Sequence, residues 1–219
     1  MKITISEEIK NICPNVVLGV LTYTADVRKS QPELKKCFTE TISELEKKYS
    51  LDEIALRPHI SATREAYKAL GKAPQEYRNA AEAMLRRIVK GGGLYQINNV
   101  VECNNIISVT SGYSIGSYTT ENIRGNVELR RAAAGKKYKG IGKELINIEY
   151  LPTLFDEAGA FGNPSSDSER AMVTLGRRGI MSAIYSFDGS EGLGEWLDKF
   201  AAMLAEYCGA ENITTQIVK

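Results

Sequence analysis

The sequence is short of the side chains on which most enzyme sites are built. Among 219 residues there is one histidine, His59, and only four cysteines, Cys13, Cys37, Cys103 and Cys208, widely separated and with no Cys-x-x-Cys pair. A chain with one imidazole builds no histidine-rich metal centre and cannot divide successive proton transfers between two histidines. Cysteines so spaced read as reduced, mostly buried thiols rather than a zinc site or a disulfide frame. Neither a metal nor a cofactor is expected. Long hydrophobic runs are also missing: apolar stretches reach about six residues, far short of a membrane-spanning helix. Glu7 and Glu8 stand where a secretory leader would need its apolar segment. The expectation is a cytoplasmic protein with no membrane partner. Overall charge is lacking too, since 28 Lys and Arg against 27 Asp and Glu leave +1, so any polyanion would have to be met by a local patch.

Such a patch is present. Residues 124 to 143 hold Arg124, Arg130, Arg131, Lys136, Lys137, Lys139 and Lys143 against Glu128 alone, a +6 segment on a −5 remainder. It reads either as a basic arm for phosphates or as a solvated hairpin. Within it, Lys139-Gly140-Ile141-Gly142-Lys143 lacks the earlier glycine of a phosphate loop and puts Glu144 at the Ser/Thr position. It therefore reads as a turn between two strands.

Periodicity supplies the rest of the outline. Residues 2 to 5 and 16 to 23 are short, apolar and β-branched, as strands are. Ser30-Gln31-Pro32-Glu33 predicts a helix start with Ser30 as N-cap, followed by an apolar stripe of Leu34, Phe38, Ile42, Leu45 and Tyr49. Further helices are predicted from Pro58 to Leu70, from Tyr77 to Lys90 and from Asn99 to Val109, with Arg78, Glu82, Arg86 and Arg87 of the second facing outward. His59 reads as a residue at a helix entrance rather than a base. Strands are predicted at about 115 to 119, 126 to 131, 144 to 149, 152 to 155, 171 to 175 and 180 to 187, then a last helix after Ser190 and a strand from Ile213 to Val218. The class is α+β in a single compact domain of residues 1 to 219, helices mainly in the N-terminal half and a mixed sheet mainly in the C-terminal half.

Two polar segments are candidate sites. Residues 156 to 170, rich in Gly, Ser and Asn, read either as a connector with turns or as a ligand loop in which small residues admit close approach and carboxylates orient an amine or a water. Asn98, Asn99, Asn104 and Asn105 read as helix-capping amides or as a ligand pocket.

Taken in order, Tyr67-Lys68-Ala69-Leu70-Gly71, Tyr77 to Arg87, Ile97 to Asn105, Ile115-Gly116-Ser117-Tyr118, Leu129-Arg130-Arg131-Ala132 and Gly162-Asn163-Pro164-Ser165-Ser166-Asp167-Ser168 resemble the tRNA-editing (B3/B4) module of the phenylalanyl-tRNA synthetase beta subunit. The likeness is to stand-alone relatives and covers roughly residues 57 to 187, leaving residues 1 to 56 and 188 to 219 as flanking elements. It implies an α+β fold with a pocket that hydrolyses mischarged tyrosine from phenylalanine tRNA. The family's histidine aligns with Gly116 and its late-strand glutamate falls near Ser182 or Ala183, so its reaction is not carried over unchanged. Under this resemblance Asn99, Tyr118, Glu157, Gly162, Ser165, Asp167 and Ser168 are pocket candidates. Arg130, Arg131, Lys136, Lys137, Lys139 and Lys143 would receive a tRNA backbone. The function implied is binding of tRNA or aminoacyl-tRNA with trans-acting deacylation; the alternative is a non-catalytic module for a free amino acid, a small metabolite or RNA. Aminoacylation is not expected.

Overall fold

The computed structural model describes residues 1–219. Its elements in chain order are β1 (Ile3–Ile5), α1 (Glu7–Ile12), β2 (Val17–Val27), α2 (Pro32–Lys48), α3 (Pro58–Ala69), α4 (Ala80–Val89), α5 (Asn99–Ser111), β3 (Ser114–Thr119), β4 (Val127–Arg131), β5 (Lys137–Lys139), β6 (Leu145–Asn147), β7 (Pro152–Asp156), β8 (Gly159–Asn163), β9 (Ser166–Asp167), β10 (Gly176–Ser186), α6 (Leu193–Cys208) and β11 (Glu211–Val218). The class is α+β, as the sequence indicates.

One sheet runs β11-β2-β10-β3, all antiparallel; a second runs β1-β4-β7-β8-β9, parallel only at β1 and β4; β5 and β6 form a separate hairpin. The inner strands of the first sheet are buried on both faces, which the alternation of β2 shows directly, while the edge strand β11 is largely exposed. Leu21, Tyr23, Ala25 and Val27 of β2 pack with Leu34 and Phe38 of α2, Ile106 of α5 and Phe200 and Leu204 of α6. Leu18 and Val20 point the other way, joining Val127, Leu129, Leu154 and Phe161 of the second sheet. The architecture is thus helices, sheet, sheet. Against the outer face of the second sheet lie Tyr67 of α3 and Tyr138 and Ile148 of the β5–β6 region, packed on Phe155.

Several local expectations change. Gln31, not Ser30, precedes α2, and Ser30 is buried outside the helix with no hydrogen-bond partner on its hydroxyl. Pro32 sets the first turn instead. α4 begins three residues later than its apolar pattern, because the Asn79 side chain accepts from the Glu82 N–H at 2.9 Å and fixes the cap. Glu82 does not face solvent. Its carboxylate is fully buried and receives Arg64 of α3 at 2.9 and 3.0 Å and Arg86 at 2.9 Å. Residues 172 to 175 form no strand, since β10 finds its partner β2 only from Gly176 onward. α1, β5, β8 and β9 carry no strong periodicity, and nothing in the sequence pattern announces them. The Lys139 to Lys143 segment is the turn of the β5–β6 hairpin, as its departures from a phosphate loop imply.

Candidate functional site

The segment from 156 to 170 is a β-hairpin that extends the second sheet. β8 pairs with β7 and β9 pairs with β8, with Gly162 opposite Asp167. Its turn is built by Asn163, whose side-chain oxygen accepts from the Ser165 and Ser166 N–H groups at 2.8 and 3.1 Å. The base of the hairpin is tied by Arg170, which donates to both oxygens of buried Asp156 at 3.0 and 2.9 Å. Burial, the largest single influence, pushes the Asp156 carboxyl up, but the Arg170 bonds and charge together with the Arg124 and Ala158 N–H groups bring its pKa below the ordinary value.

The two sides of this hairpin differ in chemistry. Successive residues of an extended strand face opposite ways. On the inner side the Asp167 carboxylate accepts from the Tyr118 hydroxyl at 2.8 Å, and the Tyr185 hydroxyl lies 2.9 Å from that of Tyr118. Desolvation pushes the Asp167 carboxyl up to about 7, with the Tyr118 bond pulling it back. Burial, and then the nearby Asp167 charge, hold both phenols far above their ordinary range. The Tyr118 ring reaches back over Gly116 of its own strand and across to Gly162 of β8, and a Cβ added to either glycine would run into its hydroxyl end. Phe161 closes the ring from its edge, 5.0 Å away at 86°.

On the outer side, Lys136, Lys137 and Lys139 meet Ala158, Ser168 and Arg170 around an open groove of about 520 Å³. Lys139 is held by Glu169 at 2.7 Å. Tyr138 donates to the Ser166 carbonyl at 2.5 Å and accepts from Asn163 Nδ2 at 2.7 Å. The structure therefore joins the basic arm to the small-residue hairpin, but sets the arm and the Asp167 carboxylate on opposite sides of the same edge strand.

The other candidate residues are placed as follows. Tyr118, Gly162 and Asp167 are one cluster. Ser165 is bonded through its hydroxyl to Tyr67 at 2.8 Å, and Ser168 accepts from the Arg170 N–H at 3.2 Å, so neither serine has a base beside it. Glu157 is exposed at the β7–β8 turn, against Gly125. Asn99 lies elsewhere: its side chain accepts from the Arg28 N–H at 3.0 Å and donates to the Asp26 carbonyl at 2.9 Å, fastening the start of α5 to the end of β2. Of the arm, Arg131 is spent on the fold, donating to the Leu70 carbonyl at 2.8 Å and lying 4.0 Å over the Tyr150 ring. Arg130 covers Phe155 at 4.3 Å. Lys143 is exposed in the hairpin turn beyond the groove. His59 stacks on Tyr113 with ring centroids 3.6 Å apart and bonds Asp188 at 2.6 Å, a helix-entrance role.

A second basic surface escapes the sequence reading: Arg78, Arg86, Arg87 and Lys90 surround a cavity of about 480 Å³ beside α4. Its signal is the run of arginines on α4, which by periodicity alone is a solvated face. All four cysteines are free thiols, and no cluster of three His, Cys, Asp or Glu is arranged to hold a metal. No helix is long and apolar enough to cross a membrane.

Residues 62–188 match the B3/4 domain family, more than half of the chain. This chain belongs to the B3/4 domain family. Its fold is similar to the crystal structure of an N-terminal fragment of the phenylalanyl-tRNA synthetase beta subunit from Pyrococcus horikoshii, with a TM-score of 0.51 and 15% sequence identity. The match takes in 100% of this chain but 54% of that fragment, so this chain spans about half its length. No curated protein is significantly similar in sequence. Gly116, where the resemblance would set the family's histidine, pairs across β3 and β10 with Ala183, and Ser117 pairs with Ser182, the two positions near which it would set the late-strand glutamate. None of Gly116, Ser182 and Ala183 carries an ionisable side chain, and the hydroxyl end of Tyr118 lies against Gly116.

Proposed function

We propose that this B3/4 domain binds the 3′ end of an RNA, an aminoacylated tRNA above all, and acts as an editing-like module that hydrolyses a mischarged ester in trans. The observation that carries the reading is the groove in which Lys136, Lys137 and Lys139 meet the β8–β9 hairpin. Three ammonium groups along an open channel suit a phosphate backbone, which needs charge more than shape. Across the same edge strand from that groove lies Asp167, whose carboxyl burial pushes up to about 7, in the range that suits proton transfer at neutral pH. In this reading Asp167 takes a proton from a water that attacks the ester carbonyl. The carbon–oxygen bond then breaks and the terminal ribose hydroxyl leaves with a proton. The fold likeness to a synthetase beta-subunit fragment supports the RNA context.

A non-catalytic module for RNA or a free amino acid is favoured by one observation, that Tyr118 fills the gap between Gly116 and Gly162 where a reacting group would have to enter. Deacylation of a panel of mischarged tRNAs at micromolar protein separates the two. Hydrolysis above the spontaneous rate, lost in Asp167→Asn, supports editing. Salt-dependent tRNA binding without hydrolysis leaves the binding module, and absence of both rejects the RNA reading.

A further inference from the structure

A second polar cavity lies away from the β8–β9 hairpin, where two helices begin side by side. Lys29 and Ser30 lead into α2 and Lys35 sits in its first turn; Gln96 and Ile97 lead into α5 and Glu102 sits in its first turn. Together these six residues surround a cavity of about 280 Å³. Its two buried polar side chains each carry an atom with no partner within hydrogen-bond distance. Glu102 is 1% exposed and its Oε2 has no hydrogen-bond partner; Ser30 is 5% exposed and its hydroxyl has none either.

That pairing is unusual on energetic grounds. A buried carboxylate oxygen without a donor is destabilising, and native chains rarely leave it and an unpartnered buried hydroxyl in one place. Burial raises the Glu102 carboxyl above its ordinary pKa, with Ser30, the Ile97 N–H and the Lys35 charge opposing it. The surroundings specify what would relieve the cost. The Glu102 carboxyl, faced only by the Ser30 hydroxyl and the Ile97 N–H and with Oε2 unpartnered, takes a further hydrogen-bond donor, best a cationic one. Lys29 and Lys35 are exposed ammonium groups at the rim, and the positive dipole ends of α2 and α5 favour an anion in the same place. Ile97, 57% exposed, is the one apolar wall. A donor-hungry carboxylate in one cavity with two ammonium groups and two helix starts is complementary to a small zwitterion.

We propose that this cavity is a binding site for a free α-amino acid, its ammonium received by Glu102 and Ser30, its carboxylate by Lys29 and Lys35, and its side chain laid against Ile97. The site is independent of the hairpin and of any action on RNA. Calorimetric titration of the whole chain with glycine, L-alanine, L-leucine and L-glutamate, each compared with its N-acetyl and its amide derivative, tests it. At least one free amino acid should bind with one-to-one stoichiometry. Both derivatives, each lacking one charge, should bind about tenfold more weakly or not at all. Glu102→Gln should weaken binding by about tenfold or more. Because Glu102 is buried, the exposed Lys29→Met and Lys35→Met variants provide the second reading: each should weaken binding while circular dichroism and melting without ligand stay unchanged. No binding at millimolar amino acid overturns the proposal. So does binding that survives all three substitutions, or that is lost in Asp167→Asn while these three leave it intact.

Discussion

The Tyr118 hydroxyl sits where a Cβ of Gly162 would have to be, although the two residues belong to different sheets. Gly162→Ala should therefore destabilise the chain by about 1–3 kcal/mol through overpacking. The measurement is urea unfolding of Gly162→Ala alone and combined with Tyr118→Ala. In the double variant the added methyl has room, so the alanine at 162 should cost much less there than in the wild-type background. Equal costs in both backgrounds would show that the ring is not the obstacle.

Asp167 makes stability depend on pH with a definite sign. Its carboxyl moves from 3.8 in the unfolded chain to about 7 in the folded one. The folded protein therefore holds the proton more tightly, and the stability this provides is complete below about pH 4 and lost as pH rises through 7. Relative to Asp167→Asn, the wild type should lose about 1–4 kcal/mol between about pH 4 and pH 8, the lower end applying because Asp167 is partly exposed. Unfolding curves of both proteins at several pH values check it. Tyr118→Phe removes the donor that holds this carboxyl down, so the Asp167 midpoint followed by carboxyl NMR should rise further.

The fold is legible in the sequence where an element meets a core on a face of its own. α2, α4 and α6 announce themselves through apolar residues three and four apart, α3 through Pro58 and Gly71 at its ends, and the strands of the first sheet through short β-branched runs. The β8–β9 hairpin is not legible: Gly159 to Asn163 lacks alternating large apolar residues, and its pairing is stabilised by the Asn163 turn and by Tyr138 reaching in from another hairpin. The meeting of Gly116, Gly162, Tyr118 and Asp167 depends on two sheets packing face to face, which no local pattern encodes. Glu82 deceives for the same reason, since the Arg64 that neutralises it comes from α3.

That ion cluster gives its own expectation. Glu82 is fully buried while Arg64 and Arg86 keep part of their guanidinium groups at the surface. Glu82→Gln leaves two desolvated cations without their counter-charge, a loss of about 2–4 kcal/mol, reduced from a fully buried pair because the arginines can turn to water. Thermal unfolding should show the drop, and Arg78→Gln, whose nitrogen is 3.8 Å from Glu82 and half exposed, should show little.

The groove bears most directly on function, and its residues divide into those free to meet phosphate and those already committed. Lys136 and Lys137 line it without a protein counter-ion, Lys139 shares its charge with Glu169, and Arg131 is anchored to the Leu70 carbonyl and the Tyr150 ring. If an RNA end lies in this groove, Lys136→Gln and Lys137→Gln together should weaken tRNA binding at low salt and lower the slope of log affinity against log salt by about 1.4, roughly 0.7 for each single-strand phosphate deprived of its ammonium partner. Melting temperature should not move, because neither side chain is packed. Arg131→Gln should do the reverse, lowering stability while leaving the salt slope unchanged. A salt slope that is indifferent to Lys136 and Lys137 but falls when Arg86 and Arg87 are neutralised would shift the RNA path to the cavity beside α4.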